Sequence, residues 1–244
     1  MIIVENGFAF RYPSIPSRYR ANCKGEWGYF VTGETGNMNC LEAEKAGLLR
    51  GNYVEMAVTW IDKRTLSFLP HYENEVFTEI WGFPVAGEIK NAFAEKCTEL
   101  STFLIHRRSQ DKLKGIVENF SRQAFNSWVN EGMIGDPNEY ATSKACEAYF
   151  NNIFCFSFEA VETQYGKSFY IQTTHRPPVG DFEIAALSVA KQTYQQQISG
   201  NQVCTDNRLV ENEMKCLGAT TSKVLPMGEN TAVTVPVANS RKSK

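Results

Sequence analysis

A chain of 244 residues with 43% hydrophobic and 12% aromatic side chains holds enough apolar material for a real core, which excludes wholesale disorder. Its formal charge of −2 at pH 7 gives no global attraction to nucleic acid or to an anionic membrane, so any such contact must use a local patch. No apolar run approaches the ~20 residues of a membrane-spanning helix, and the first residues lack the basic region of a secretory signal. The expectation is a cytoplasmic protein with no membrane contact.

The first 26 residues mix turn formers with basic and aromatic side chains. Pro13 and Pro16 disfavour a helix and keep this stretch extended. Residues 27–32 read as a strand, 33–37 as a turn, and 41–47 as a short helix stopped by Gly47. From 53 to 61, Val54, Met56, Val58 and Trp60 alternate on one face, the period of a half-buried strand. Residues 65–69 and 76–83 read as two further strands, and Asp62-Lys63-Arg64 suits a hairpin connection after the 53–61 strand. Residues 27–83 thus form a β unit of four strands.

The period then changes. Ile89, Phe93, Cys97, Leu100 and Leu104 recur at helical spacing and predict a helix over 87–107. Leu113, Val117, Phe120, Ala124 and Trp128 predict a second over 111–131, with Asp111 as N-cap. Gly135-Asp136-Pro137 precedes a third at 138–150. Residues 153–161 and 168–174 form a hairpin around the turn at 164–167, and Asp181 caps a last helix over 182–198. Residues 205–244 are polar and are expected to be mostly disordered, with 231–237 apolar enough to pair transiently as a strand.

The expected fold is α+β. It comprises an antiparallel sheet, for which a partly open barrel of OB type is one candidate form, a helical hairpin insertion and a C-terminal helix. Residues 1–204 make a single domain: the 27–83 β unit, the 87–150 helical insertion, and the 153–198 hairpin plus helix.

Three short pieces carry a resemblance: Gly28-Tyr29-Phe30-Val31, residues 43–47, and the Phe-rich hairpin at 153–169. They resemble an uncharacterised family of cyanobacterial proteins. The resemblance implies a bacterial, cytoplasmic context and a β-rich fold. It implies no activity and assigns no site residue.

Catalytic constellations are scarce. The seven cysteines, at 23, 40, 97, 146, 155, 204 and 216, are odd in number and form no C-x₂₋₄-C pair, so neither a zinc site nor a disulfide framework is expected. They read as free thiols in a reducing compartment. A Cys–His enzyme would draw on His71, His106 or His175, and Cys97 lies nine residues from His106 on the expected helix, too far to touch. Glu73, Glu75, Glu79, Glu88, Glu95 and Glu99 make 73–99 acidic, and Glu95 and Glu99, four apart on the expected helix and off its apolar stripe, read as a solvated face. Phe154, Phe156, Phe158 and Phe169 could form an RNA-binding platform, but a core face fits their alternation better. No cofactor, metal or catalytic residue is expected, and a non-enzymatic role is favoured.

The strongest specific pattern is Arg11, Tyr12, Arg18, Tyr19, Arg20, Lys24 and Trp27, where cations and rings interleave. Single-stranded nucleic acid is bound in this manner, cations tracking phosphates while rings stack on bases. A second cluster, His106-Arg107-Arg108 with Lys112 and Lys114, falls at an expected helix–helix junction. The ordinary alternative is that the rings pack inward while the cations decorate the surface. Sequence-tolerant binding of single-stranded nucleic acid, DNA or RNA, is the leading expectation. A structural or assembly protein, acting on a protein partner or on its own copies, is the rival. Placement of Arg11, Arg18, Arg20, Arg107 and Arg108 separates them, since convergence on one groove favours nucleic acid.

Overall fold

A computed structural model describes residues 1–24, 26–32, 40–66, 75–164 and 166–200. The expectations for His71, for the turn at 33–37, for residues 67–69 and for the tail at 205–244 lie outside these residues.

Asn6 and Gly7 both take positive φ, 52° and 81°, the pair of angles a two-residue hairpin turn requires. They join β1 (Ile2–Glu5) to β2 (Phe8–Arg11). The proline-bearing stretch that follows forms no helix but bends at Ser14 and Ile15 before leading into β3 (Ser17–Asn22), which pairs with β4 (Tyr29–Thr32). Helix α1 (Cys40–Lys45) comes next, and Gly47 at φ 67° follows it.

Strand β5 (Tyr53–Leu66) runs straight through the expected hairpin connection. Asp62, Lys63 and Arg64 pair with Glu79, Thr78 and Phe77 of β6 (Glu75–Gly87). Their polarity does not mark a turn, because Arg64 Nε meets the buried Glu79 carboxylate at 2.6 Å. A polar strand residue with its counter-charge on the neighbouring strand needs no exit to solvent.

The helix expected over 87–107 is the largest correction. One turn, α2 (Glu88–Asn91), is followed by two strands, β7 (Cys97–Glu99) and β8 (Ser101–His106). Phe103 and Ile105 are buried while Leu104 is not, which is period two rather than 3.6. Strand β8 is paired on both sides, antiparallel to β6 and parallel to β3, and β7 pairs in parallel with β2. These ladders satisfy the backbone without a helix. Cys97 and His106 therefore share no helix, and Glu99 is 6% exposed rather than solvated.

The rest follows expectation closely. Helix α3 (Arg108–Asn130) begins three residues early, because Gln110 rather than Asp111 fixes its start. The Gln110 side chain accepts from the Arg107 N–H at 3.1 Å and donates to the Val76 carbonyl at 2.9 Å. In α4 (Pro137–Phe150), Asp136 accepts from the N–H groups of Asn138 and Glu139, a side-chain N-cap. Strands β9 (Ile153–Thr163) and β10 (Gly166–Arg176) form the expected hairpin, and α5 (Asp181–Gly200) follows.

The fold is α+β. Strands β1, β2 and β7 make a small sheet, and seven strands in the order β10-β9-β5-β6-β8-β3-β4 make a strongly curled, partly open barrel. An OB barrel has five strands; the additional pairing here comes from β3 and β8. Curling brings β4 and β9 together although they are not neighbours. The Phe30 and Phe158 rings lie 4.9 Å apart, and the Phe158 ring occupies the space a Cβ on Gly28 would need. One face of the sheet packs on α3 through Tyr19, Phe103, Phe154, Phe156, Leu113 and Phe120. The other packs on α5, whose Ala185, Ala186, Val189 and Ala190 allow close approach to Ala57, Trp81 and Phe83. No described helix is long and apolar enough to cross a membrane.

Candidate functional site

Three segments far apart in sequence enclose a groove of about 540 Å³: residues 20–24 at the end of β3, residues 104–109 at the β8–α3 junction, and the tips of β9 and β10. Hydrogen bonds tie them together. The Phe169 N–H donates to the Cys23 carbonyl at 3.0 Å. The buried Ser109 hydroxyl accepts from the Ile171 N–H at 2.9 Å. These bonds lock the last strand of the curled sheet against the exit of β3 and the start of α3.

Arg20, Lys24, Arg107 and Arg108 line this groove with His106, and no described lining residue is Asp or Glu. Arg107 owes its outward position to a kink, since its φ of 49° ends β8 and opens α3 in a single residue. Aromatic rings complete the walls. The Arg108 guanidinium lies 4.6 Å and the Lys112 ammonium 5.4 Å from the Tyr170 ring. His106 stacks on Phe77 with centroids 4.2 Å apart. Lys167 lies 5.3 Å from the half-buried Phe169 ring. Cations held over rings in this way stay extended at the surface.

Two carboxylates stand beside the groove. Glu75 accepts from His106 Nε2 at 2.8 Å and from Arg107 Nη2 at 3.2 Å, and these bonds hold its carboxyl below the usual range. The Tyr170 hydroxyl donates to Glu159, which pushes the phenol pKa up. Burial pushes the Cys23 thiol up to about 11, so the one cysteine of the groove is no nucleophile at neutral pH. Among the described residues no group of His, Cys, Asp and Glu could hold a metal ion.

Of the nine residues that sequence singled out, Arg20, Lys24, Arg107 and Arg108 come together. The other five do not join them. Arg11 sits in the small sheet and pairs with Glu99 at 3.0 Å. Tyr12 packs against the core on the α5 side. Arg18 is buried, and Tyr19, 5% exposed, belongs to the core under α3. A ring in that position has no face to offer a base. Trp27 is exposed but is not among the groove's described lining. Sequence reasoning missed Phe77 and Tyr170, and it weighed Phe169 as a binding platform but preferred a core face for it. Only the return of the 153–176 hairpin brings the last two beside residues 20–24, and no local pattern signals that. No protein-family model, curated protein or solved structure matches this chain.

Proposed function

We propose that this protein binds single-stranded nucleic acid, without catalysing a reaction on it, in the groove between β3, the start of α3 and the β9–β10 tip. The observation that carries the reading is the meeting of Arg20, Lys24, Arg107 and Arg108 in one groove with no carboxylate among its described lining residues, on a chain of net charge −2. Such a groove attracts a polyanion locally although the whole molecule does not. The half-buried Phe169 supplies a ring at its wall. A single strand can turn its bases onto such a ring, whereas duplex bases stay stacked on one another. Free thiols at Cys23, Cys97, Cys146 and Cys155 suit the reducing, cytoplasmic setting that belongs to the same proposal.

Fluorescence polarisation of a labelled oligothymidine tests it. Lys24→Ala with Arg108→Ala removes two cations, and the slope of log K against log salt should fall by about 1.4, at ~0.7 per single-strand phosphate contact. Phe169→Ala should weaken binding by ~1–3 kcal/mol with little change in slope. A double variant that keeps the parent's affinity and slope would remove the basis of the proposal.

A second reading, assembly through protein contacts, has its own observation. At the α3–α4 bend Phe125, Met133 and Ile134 are all more than half exposed beside Trp128. Clustered exposed apolar groups of this kind mark protein interfaces. If copies of this chain meet there, Phe125→Ser with Ile134→Ser should abolish concentration-dependent association in sedimentation and leave oligonucleotide binding intact. Association at equal strength in that variant sinks the second reading.

A further inference from the structure

A second opening lies away from the groove, where α4 crosses β5 and α5. It has a volume of about 300 Å³ and is lined by Val58 to Ile61 of β5, by Thr142, Ala145, Cys146, Tyr149 and Phe150 of α4, and by Tyr194 of α5. Helix α4 has no fully buried residue along its 14 positions, although Ala145, Cys146, Tyr149 and Phe150 all turn partly inward. It packs on the core through Ala148, Tyr149 and Phe150 and leaves the opening beside Thr142, Ala145 and Cys146. A largely apolar cleft of this size beside a helix is a place for a small ligand.

The walls state the occupant's chemistry. No described lining residue is Asp, Glu, Lys, Arg or His, and an ion taken out of water here would meet no counter-charge. The walls are rings. Trp60 stacks on Trp81 at 4.7 Å, Phe150 meets Tyr194 at 5.5 Å, and Tyr149 stacks on Phe154 at 5.5 Å. The polar groups that Thr59, Thr142, Cys146, Tyr149 and Tyr194 bring to the lining are uncharged. The Cys146 thiol lies 3.8 Å from the Tyr194 hydroxyl. Thr59, 2% exposed, carries a hydroxyl with no hydrogen-bond partner among the described residues, an unmet need that costs stability in the empty protein. Burial pushes the phenol pKa of Tyr149 up to about 12 and that of Tyr194 upward, so both remain neutral.

We propose that this cavity binds a small, neutral, planar aromatic molecule of about two fused rings, with one oxygen placed to meet the hydroxyls of Tyr194 and Thr59. The size follows from the cavity, the neutrality from the lack of charged residues in the described lining, and the single oxygen from the unpartnered Thr59 hydroxyl.

Calorimetric titration of the full chain with 1-naphthol, naphthalene and naphthalene-1-sulfonate tests this. The expected order is naphthol tightest, naphthalene several-fold weaker, and the sulfonate at least tenfold weaker than naphthol. Ala145→Phe fills the space and should weaken naphthol at least tenfold. Thr59→Val with Tyr194→Phe should abolish the preference for naphthol over naphthalene while naphthalene binds as before. Naphthol should also slow alkylation of Cys146, read by peptide mapping, relative to Cys155, a measurement that needs no variant to fold. Sulfonate binding as tightly as naphthol, Ala145→Phe binding naphthol like the parent, or Cys146 alkylated at the same rate with and without naphthol would each overturn the proposal. Lys24→Ala with Arg108→Ala should leave naphthol binding unchanged, which separates this site from the groove.

Discussion

The groove and the cavity are walled by the same kinds of ring and differ in charge. In the groove every described ionic side chain of the lining is basic, with Arg20, Lys24, Arg107 and Arg108 set among Phe77, Phe169 and Tyr170. In the cavity Trp60, Tyr149, Phe150 and Tyr194 stand with no charged residue among the described lining. Both stand on one core, since Val58 of the cavity wall and the β3 residues leading into the groove pack in the cluster under α3. Rings alone do not choose a ligand. The charge placed around them decides whether the occupant is a polyanion or a neutral molecule.

The largest effect should break both sites together. Tyr19 and Arg20 are neighbours on β3, yet Tyr19 is a core ring and Arg20 lines the groove. Removing a large ring from a packed core costs about 3–5 kcal/mol. Tyr19→Ala should therefore lose stability on that scale in urea denaturation, and binding of both naphthol and oligonucleotide should fall with the folded fraction. Arg20→Ala should weaken the oligonucleotide alone. A Tyr19→Ala protein of parental stability that has lost only oligonucleotide affinity would return that ring to the ligand site.

An intermediate effect separates the two sites. Ala145→Phe should leave oligonucleotide binding at the parent's value while naphthol weakens at least tenfold, and Lys24→Ala with Arg108→Ala should do the reverse. Any cross-effect beyond a factor of two would mean that one ligand reads both places.

The contrast also explains how much was legible in the sequence. The 153–176 hairpin and α3 were readable because each carries a single clear period, and α4 and α5 from the helix-breaking and capping residues at their starts. Residues 97–106 were not. The spacing of Ile89, Phe93, Cys97, Leu100 and Leu104 mimics a helix, while the strands are set by pairing with β2, β3 and β6, which lies outside any local window. The Asn6-Gly7 hairpin had a strong local sign that the turn-rich look of the first 26 residues obscured. For the site, Arg107 and Arg108 stood out as consecutive cations at an expected helix–helix junction; the junction is strand to helix instead, and its kink at Arg107 turns them toward the groove. The cluster at 11–20 misled because strands alternate, so adjacent Arg and Tyr residues go to opposite faces. The cavity had no sequence sign, as its walls come from β5, α4 and α5 and each looks like ordinary core.

The smallest effect concerns the acid that borders the groove. Glu75 accepts from both His106 and Arg107, and its pKa is held below the ordinary glutamate value of 4.5 by those bonds. A lowered folded-state pKa means that the ionised form stabilises the fold. That contribution is complete above the ordinary value and is lost as pH falls through the lowered one. Glu75→Gln should then melt slightly below the parent above about pH 5, follow a flatter curve on the acid side, and converge on the parent at low pH. The same substitution removes the negative charge beside Arg107 and leaves the groove more positive. Oligothymidine should bind a few-fold more tightly at low salt, and the gain should vanish at high salt because an exposed carboxylate acts only within the screening length, ~10 Å at 0.1 M. Tighter naphthol binding in this variant would contradict the separation of the two sites, since Glu75 lines only the approach to the groove. Weaker oligonucleotide binding would mean that the carboxylate holds His106 and Arg107 in the productive position rather than opposing them.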